Sequence, residues 1–271
     1  MSNIVVREIK AKTILSKSRI YGVQYSINPY IGCTHGCVYC YARFTFIARN
    51  IRSDLWGKII FPKINAPKLL LEEIKHRRKG TVLLSSVTDA YNNLEKKYNL
   101  TKRIIEILKK RHWPIVILTK SDLILRDLSI LAGYDRVEAG ITITLTDDEF
   151  LKIFEPSAPR FSDRINALRV LNQTLGDATY AFVGPLLPIF GEKDLDYIFS
   201  EISNLGIKRV LFDKLNIKAE NWITINRALE TLQANRKEFW KKTKDFSFWQ
   251  KIKKKVIYLS KKYGVTVDFC Y

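Results

Sequence analysis

The sequence predicts an α/β protein built on a mainly parallel sheet, and three observations carry that prediction. Short β-like runs alternate with segments of helical spacing, the chain is 46% hydrophobic over 271 residues, and 12 Gly with 8 Pro leave no linker-rich stretch. The runs, in order, are Tyr25–Asn28, Thr81–Ser86, Ile115–Thr119, Glu138–Leu145, Thr179–Val183 and Lys208–Phe212. Each is short and rich in Val, Ile, Leu, Phe or Thr, side chains that suit a pleated, buried surface. Between them Leu94–Arg111, Leu123–Ala132, Arg164–Leu175 and Leu195–Leu205 repeat apolar residues three and four apart, several opened by Asn, Ser or Asp at cap positions. A last apolar run, Val265–Phe269, closes the sheet. Strand-then-helix order calls for right-handed crossovers, in an open doubly wound sheet or in a complete or partial barrel, and in each of these ligands gather at the C-terminal strand ends.

Charge narrows the partners. Lys and Arg number 46 against 27 Asp and Glu, a formal excess of +19, which favours polyanions such as DNA or RNA. Lysine-rich surfaces also accompany life at high temperature. Intrinsic disorder is excluded by the apolar content, and collagen-like designs by the low Gly and Pro count. No apolar run approaches the roughly 18 residues of a bilayer span, and Met1–Glu8 lacks the charged-then-apolar layout of a signal peptide. A soluble, cytoplasmic protein with no membrane partner is expected. Between Arg236 and Lys262 the chain carries 11 Lys and Arg against Glu238 and Asp245, with Phe239, Trp240, Phe246, Phe248 and Trp249 interleaved. Two readings fit: lysines on phosphates with aromatics stacking on bases, or an amphipathic helix whose aromatics cover the domain while its lysines face water.

Three of the four cysteines, Cys33, Cys37 and Cys40, fall within eight residues of the loop Asn28–Arg43, directly after the first run. Thiols so close are poor partners for long-loop disulfides and suit a metal held in a reducing compartment. Gly32 and Gly36 lie where the backbone must bend tightly. Structural zinc wants four ligands and iron–sulfur electron carriers usually take four Cys, yet no fourth Cys or paired His follows nearby. Three thiolates on a [4Fe–4S] cluster leave one iron open for a substrate or cofactor. His35 reads as a hydrogen-bonding loop residue rather than a ligand.

Cys33-x-x-x-Cys37-x-x-Cys40, with aromatic Tyr39, resembles the signature of the radical S-adenosylmethionine (SAM) enzymes. Asn28-Pro29-Tyr30, Tyr41-Ala42-Arg43, Val87–Tyr91, Thr119-Lys120-Ser121, Glu155–Pro159 and Phe212–Asn216 are similar to the spore photoproduct lyase-like (DNA repair photolyase-like) branch, over about Tyr21 to Asn216. The resemblance implies a partial (β/α)6 TIM-like barrel over residues 21–225, after an N-terminal segment (1–20). Residues 226–271 then form a C-terminal basic helical extension and a short final strand packed on the same domain. It implies a [4Fe–4S] cluster on Cys33, Cys37 and Cys40, S-adenosyl-L-methionine as cofactor, reductive cleavage to a 5′-deoxyadenosyl radical, and a cellular one-electron reductant as partner.

The same resemblance places Tyr39 beside the adenine. Ser86, Thr88 and Asp89, at a strand end where relatives carry a glycine-rich edge, fall near the methionine amine, Lys120 near its carboxylate, and Thr142 or Thr144 near the ribose. For Thr88, Asp89 and Lys120, turn capping and surface solvation fit equally well. Spore photoproduct lyases use a cysteine near the second strand as hydrogen-atom donor. Ser85 and Ser86 stand in that region here, and Cys270 is expected to be a plain buried thiol. Phosphate-loop, dinucleotide and nucleophile-elbow motifs are absent. The function expected is radical chemistry in nucleic-acid repair or modification. Two alternatives stay open: a radical enzyme acting on a peptide or small metabolite, and a nucleic-acid-binding protein with a structural or redox-sensing cluster.

Overall fold

Among the described residues, eight strands form one sheet whose order in space is their order along the chain: β1 Leu15–Lys17, β2 Tyr25–Ile27, β3 Val82–Leu84, β4 Ile115–Thr119, β5 Val137–Ile143, β6 Thr179–Leu186, β7 Arg209–Lys214 and β8 Thr266–Phe269. The computed structural model describes residues 4–144, 146–189 and 191–270. From β2 to β8 every neighbouring pair is parallel, while β1 adds an antiparallel edge. A doubly wound sheet reverses its strand order at a switch point; this one never does, which is the order of a (β/α) barrel. β1 and β8 remain edges, so the barrel is partial. All seven expected runs are strands, and Leu145, the expected end of the fourth, lies outside the described residues.

Alternation along the strands sorts the side chains. Ile27, Leu84, Ile117, Ala139, Ile141, Val183, Val210 and Phe212 share the face covered by helices and are fully buried. The intervening residues Leu118, Thr142 and Phe182 face the concave side and line a cavity there. The helices are α1 Ala66–Glu73, α2 Leu100–Lys110, α3 Asp148–Phe154, α4 Phe161–Leu175, α5 Glu192–Asn204, α6 Asn221–Thr231, α7 Arg236–Lys244 and α8 Phe246–Tyr263. Helix α4 packs on β5 and β6, and α8 packs on α5 and β8.

Three expectations need correction. The segment Leu94–Arg111 is a single turn, Glu95–Tyr98, followed by α2, with Asn99 between them in the left-handed region at φ 50°. The break puts the fully buried Glu95 carboxylate within 3.1 Å of the Thr101 backbone N–H and the Arg126 guanidinium, where it also accepts from the Tyr30 hydroxyl. Leu123–Ala132 is a 3-10 segment, Asp122–Asp127, continued by the turn Leu128–Leu131, because the buried Asp127 turns back onto Arg126. A second small sheet, Val5–Val6 with Ile59–Pro62 and Tyr30–Ile31, was not expected. Its strands are too short for periodicity to reveal.

The basic tract is the amphipathic pair α7 and α8, broken at Asp245, whose carboxylate accepts from Ser247 N and Phe248 N and caps α8. Phe239 and Trp249 are buried, Trp240 and Phe248 pack on the core, and only Phe246 of the five is exposed. Most of these aromatics therefore cover the domain and are not a stacking platform for bases. Among the described residues no helix is long and apolar enough to cross a membrane.

Removing one partner from a buried ion pair leaves the other charge unmatched, at about 3–5 kcal/mol. Glu95→Ala is expected to lower unfolding stability by that amount in denaturant titration. A loss below about 1 kcal/mol would show that the network is not a keystone.

Candidate functional site

The loop between β2 and the small-sheet strand at Ile59 carries the three thiols, and its backbone is held from several directions. Tyr30–Ile31 pairs antiparallel with Ile59–Pro62. Gly32 follows at φ 83°, and a Cβ there would lie 2.7 Å from the Ile59 carbonyl oxygen, so only glycine fits. Two turns come next, Gly36 N to Cys33 O and Cys40 N to Cys37 O, both 3.2 Å. The loop's carbonyls are then taken one by one. Thr88 donates to Gly32, Ser157 N to His35, Arg43 to Cys37, Thr224 to Val38 and Asn221 to Tyr39. Asn221 and Thr224 lie at the start of α6, so the far end of the barrel clasps the cysteine loop.

Just beyond the C-terminal strand ends lies a cavity of about 220 Å³, lined by Cys33, Cys37, Cys40, Tyr39, Ser86, Thr88, Asp89, Lys120 and Thr142, among others. Thus nine of the ten expected site residues share one wall. Thr144 is not among the lining residues. It is fully buried, and its hydroxyl donates to Glu155 and accepts from Arg164.

Several lining residues are already engaged. Asp89 accepts from Tyr91 N, the Thr119 hydroxyl and Lys120 N, and stands 3.4 Å from His35 Nδ1; it pins the ends of β3 and β4 together. Asn28 accepts from Ser86 N and Val87 N and donates to the Ser86 hydroxyl. Beneath the loop, the fully buried Glu155 accepts from the Tyr39 hydroxyl and pairs with the equally buried Arg164, while Lys120 Nζ lies 4.0 Å away and 5.8 Å from the Tyr39 ring centre. The Glu155–Arg164 pair therefore fixes the ring of Tyr39 and the head of Lys120 in one contact set.

Burial sets the electrostatics. It pushes all three thiols up, reinforced by Asp89 at Cys33 and by Glu155 at Cys37, where Lys120 opposes it. His35 is drawn down to about 4 by burial, against the pull of Asp89, and is neutral. Glu155 is raised by burial, with Arg164 opposing. Among the described residues no three His, Cys, Asp or Glu side chains are near enough to share a single metal ion.

One further residue here, Trp56, escaped the sequence reading. Seven buried side-chain polar atoms lack a hydrogen-bond partner among the described residues, and three of them, His35 Nε2, Trp56 Nε1 and Ser85 Oγ, belong to cavity-lining residues. Ser85 also sits at φ 108°, a backbone state that favours glycine. The glycine-rich character of this edge in the resembling family was its one available signal. Cys270 is exposed at the end of β8 rather than buried as expected, its backbone N–H bonded to Phe212 O; an edge strand leaves its last residue uncovered.

The comparisons with known proteins agree with this geometry. The sequence pattern of the Radical SAM superfamily matches residues 27–201. An "uncharacterized protein" of Methanocaldococcus jannaschii is 38% identical over 218 residues, 80% of each chain. Another of Mycobacterium tuberculosis is 29% identical over 227 residues, 79% of this chain and 66% of that one. Among solved structures, a spore photoproduct lyase variant with bound AdoMet and dinucleoside spore photoproduct superposes with TM-score 0.76 at 14% identity, covering 99% of this chain and 82% of that one.

Burial raises Asp213, on the cavity wall at the end of β7, to about 6 from 3.8. A carboxyl raised in the folded state favours folding below the lower value and loses that contribution as pH rises through the upper one. Asp213→Asn is therefore expected to gain stability relative to the parent between about pH 4 and 7, read as a growing difference in melting temperature. A pH-independent difference would contradict the burial of that carboxyl.

Proposed function

Because the chain belongs to the Radical SAM superfamily, we propose that Cys33, Cys37 and Cys40 hold a [4Fe–4S] cluster with one iron open to S-adenosylmethionine. The observation that carries this reading is the single cavity at the strand ends onto which all three thiols open. The residues fit such a group. Three thiols, those of Cys33 and Cys37 buried and that of Cys40 partly buried, line one cavity and suit a polynuclear centre that gives each thiolate its own iron. Unpaired buried groups on His35, Trp56 and Ser85 are also the mark of a site built around something polar. When bound, the cluster and cofactor supply reductive cleavage of the sulfonium and a 5′-deoxyadenosyl radical that abstracts hydrogen.

The chain's own part is to bind, orient and exclude water. Neutral thiols raised by burial must lose their protons on loading, so the buried loop favours a cationic centre over free thiolates. Lys120 supplies a cation for the methionine carboxylate, held by Glu155. Tyr39, its hydroxyl tied down, offers a fixed ring to the adenine, and Thr142 a hydroxyl to the ribose. Ser86 is the nearer choice for the amine, since Thr88 and Asp89 spend their oxygens on Gly32, Thr119 and Lys120. Thr144 supports Glu155 instead of meeting the ribose. The electron comes from a cellular one-electron reductant.

For the substrate, DNA or RNA repair or modification is the best-supported class. The excess of +19 favours phosphates, and Tyr41, on the cavity wall, is 40% exposed and available for stacking. The spore photoproduct lyase neighbour holds a dinucleoside.

Anaerobically reconstituted protein with dithionite is expected to convert S-adenosylmethionine to 5′-deoxyadenosine, and Cys37→Ala to lose both the visible iron–sulfur absorbance and this product. A loaded cluster without 5′-deoxyadenosine would favour a nucleic-acid-binding protein with a structural or redox-sensing cluster. Affinity for an oligonucleotide, measured by fluorescence anisotropy, is expected to fall steeply and log-linearly with salt. A flat response would point to a peptide or small-metabolite substrate.

A further inference from the structure

Resting on that reading of the cysteine loop, we propose that Trp56 donates its indole N–H to a sulfur of the group the three thiolates hold, and so raises its reduction potential. Four observations place it there. Ser53–Leu55 forms a single 3-10 turn that delivers Trp56 and Gly57 onto the cysteine loop. The approach is backbone to backbone, since a Cβ on Gly57 would lie 2.7 Å from Gly36 Cα. Arg43 fastens the turn from the other side by donating to Ser53 O at 2.8 Å. Trp56 itself is 4% exposed, packs with Cys33 and Cys40 in one apolar cluster and lines the cavity they share.

The chemistry of the indole decides the role. An indole nitrogen is a donor only, and that of Trp56 has no acceptor among the described residues. A buried donor left without an acceptor disfavours folding. The acceptors that a metal centre brings to this wall are thiolate and sulfide sulfurs. A hydrogen bond to such a sulfur withdraws charge and stabilises the reduced state, one of the ways a protein sets the potential of an iron–sulfur centre. The Phe46 ring, 5.2 Å from that of Trp56 and steeply inclined, holds the indole in place.

Trp56→Phe keeps the ring and deletes the donor. With iron and sulfide content matched to the parent, its cluster is expected to show about a tenfold lower ratio of reduced to oxidised centre at a fixed poise, about 59 mV for one electron. The readout is a redox titration followed by electron paramagnetic resonance. An unchanged potential overturns the proposal and leaves the N–H to the Phe46 ring. If the variant does not fold, the reduced parent labelled with 15N-indole tryptophan answers instead: a hyperfine-coupled indole nitrogen supports the proposal, and its absence overturns it. Failure of the parent to assemble any iron–sulfur centre would instead sink the reading of the cysteine loop.

Discussion

Gathering three thiols, two of them buried, at the mouth of a parallel sheet is the constraint from which the rest of this structure follows. In a low-dielectric wall the thiols stay neutral unless a cation takes their charge, and the loop that carries them is held rigid. Rigidity comes from outside the loop. Donors at Thr88, Ser157, Asn221 and Thr224 each take one loop carbonyl, and they come from segments far apart in the chain. Their convergence requires the consecutive strand order, which brings the end of β3 and the start of α6 to the same mouth.

A second layer of order lies under the first. The Glu155 carboxylate touches Tyr39 and Thr144 and pairs with Arg164, whose guanidinium also reaches Pro159 O and Thr142 O. Such a fully hydrogen-bonded buried pair adds little net stability over an apolar substitute but specifies one arrangement. Here the arrangement specified is that of the two side chains, Tyr39 and Lys120, proposed to meet the cofactor. Asp89, also on the cavity wall, adds to this order by accepting from Tyr91 N, the Thr119 hydroxyl and Lys120 N.

Much of this was legible in the sequence because periodicity and spacing are local. Every strand of the barrel from β2 to β8 stood out as an apolar run, and the cysteine spacing located the mouth. What was not legible depends on contacts between distant segments. Asn99 breaks a helix that spacing alone would continue, since Glu95 is needed as a buried acceptor. Thr144 has the composition of a ligand-facing strand end, yet Glu155 and Arg164 claim its hydroxyl. Trp56 carries no motif; its place is known only once Gly57 meets Gly36. The aromatics of α7 and α8 read equally well as base-stacking or as core, and packing decided for the core.

The central claim is a three-thiolate iron–sulfur centre with one open iron, and Mössbauer spectroscopy of protein reconstituted with 57Fe tests it most directly. The account predicts that adding S-adenosylmethionine shifts the spectrum of a single iron subsite and leaves the others unchanged. A protein that takes up zinc in place of iron and sulfide, or a cluster whose irons all ignore the nucleotide, would contradict it.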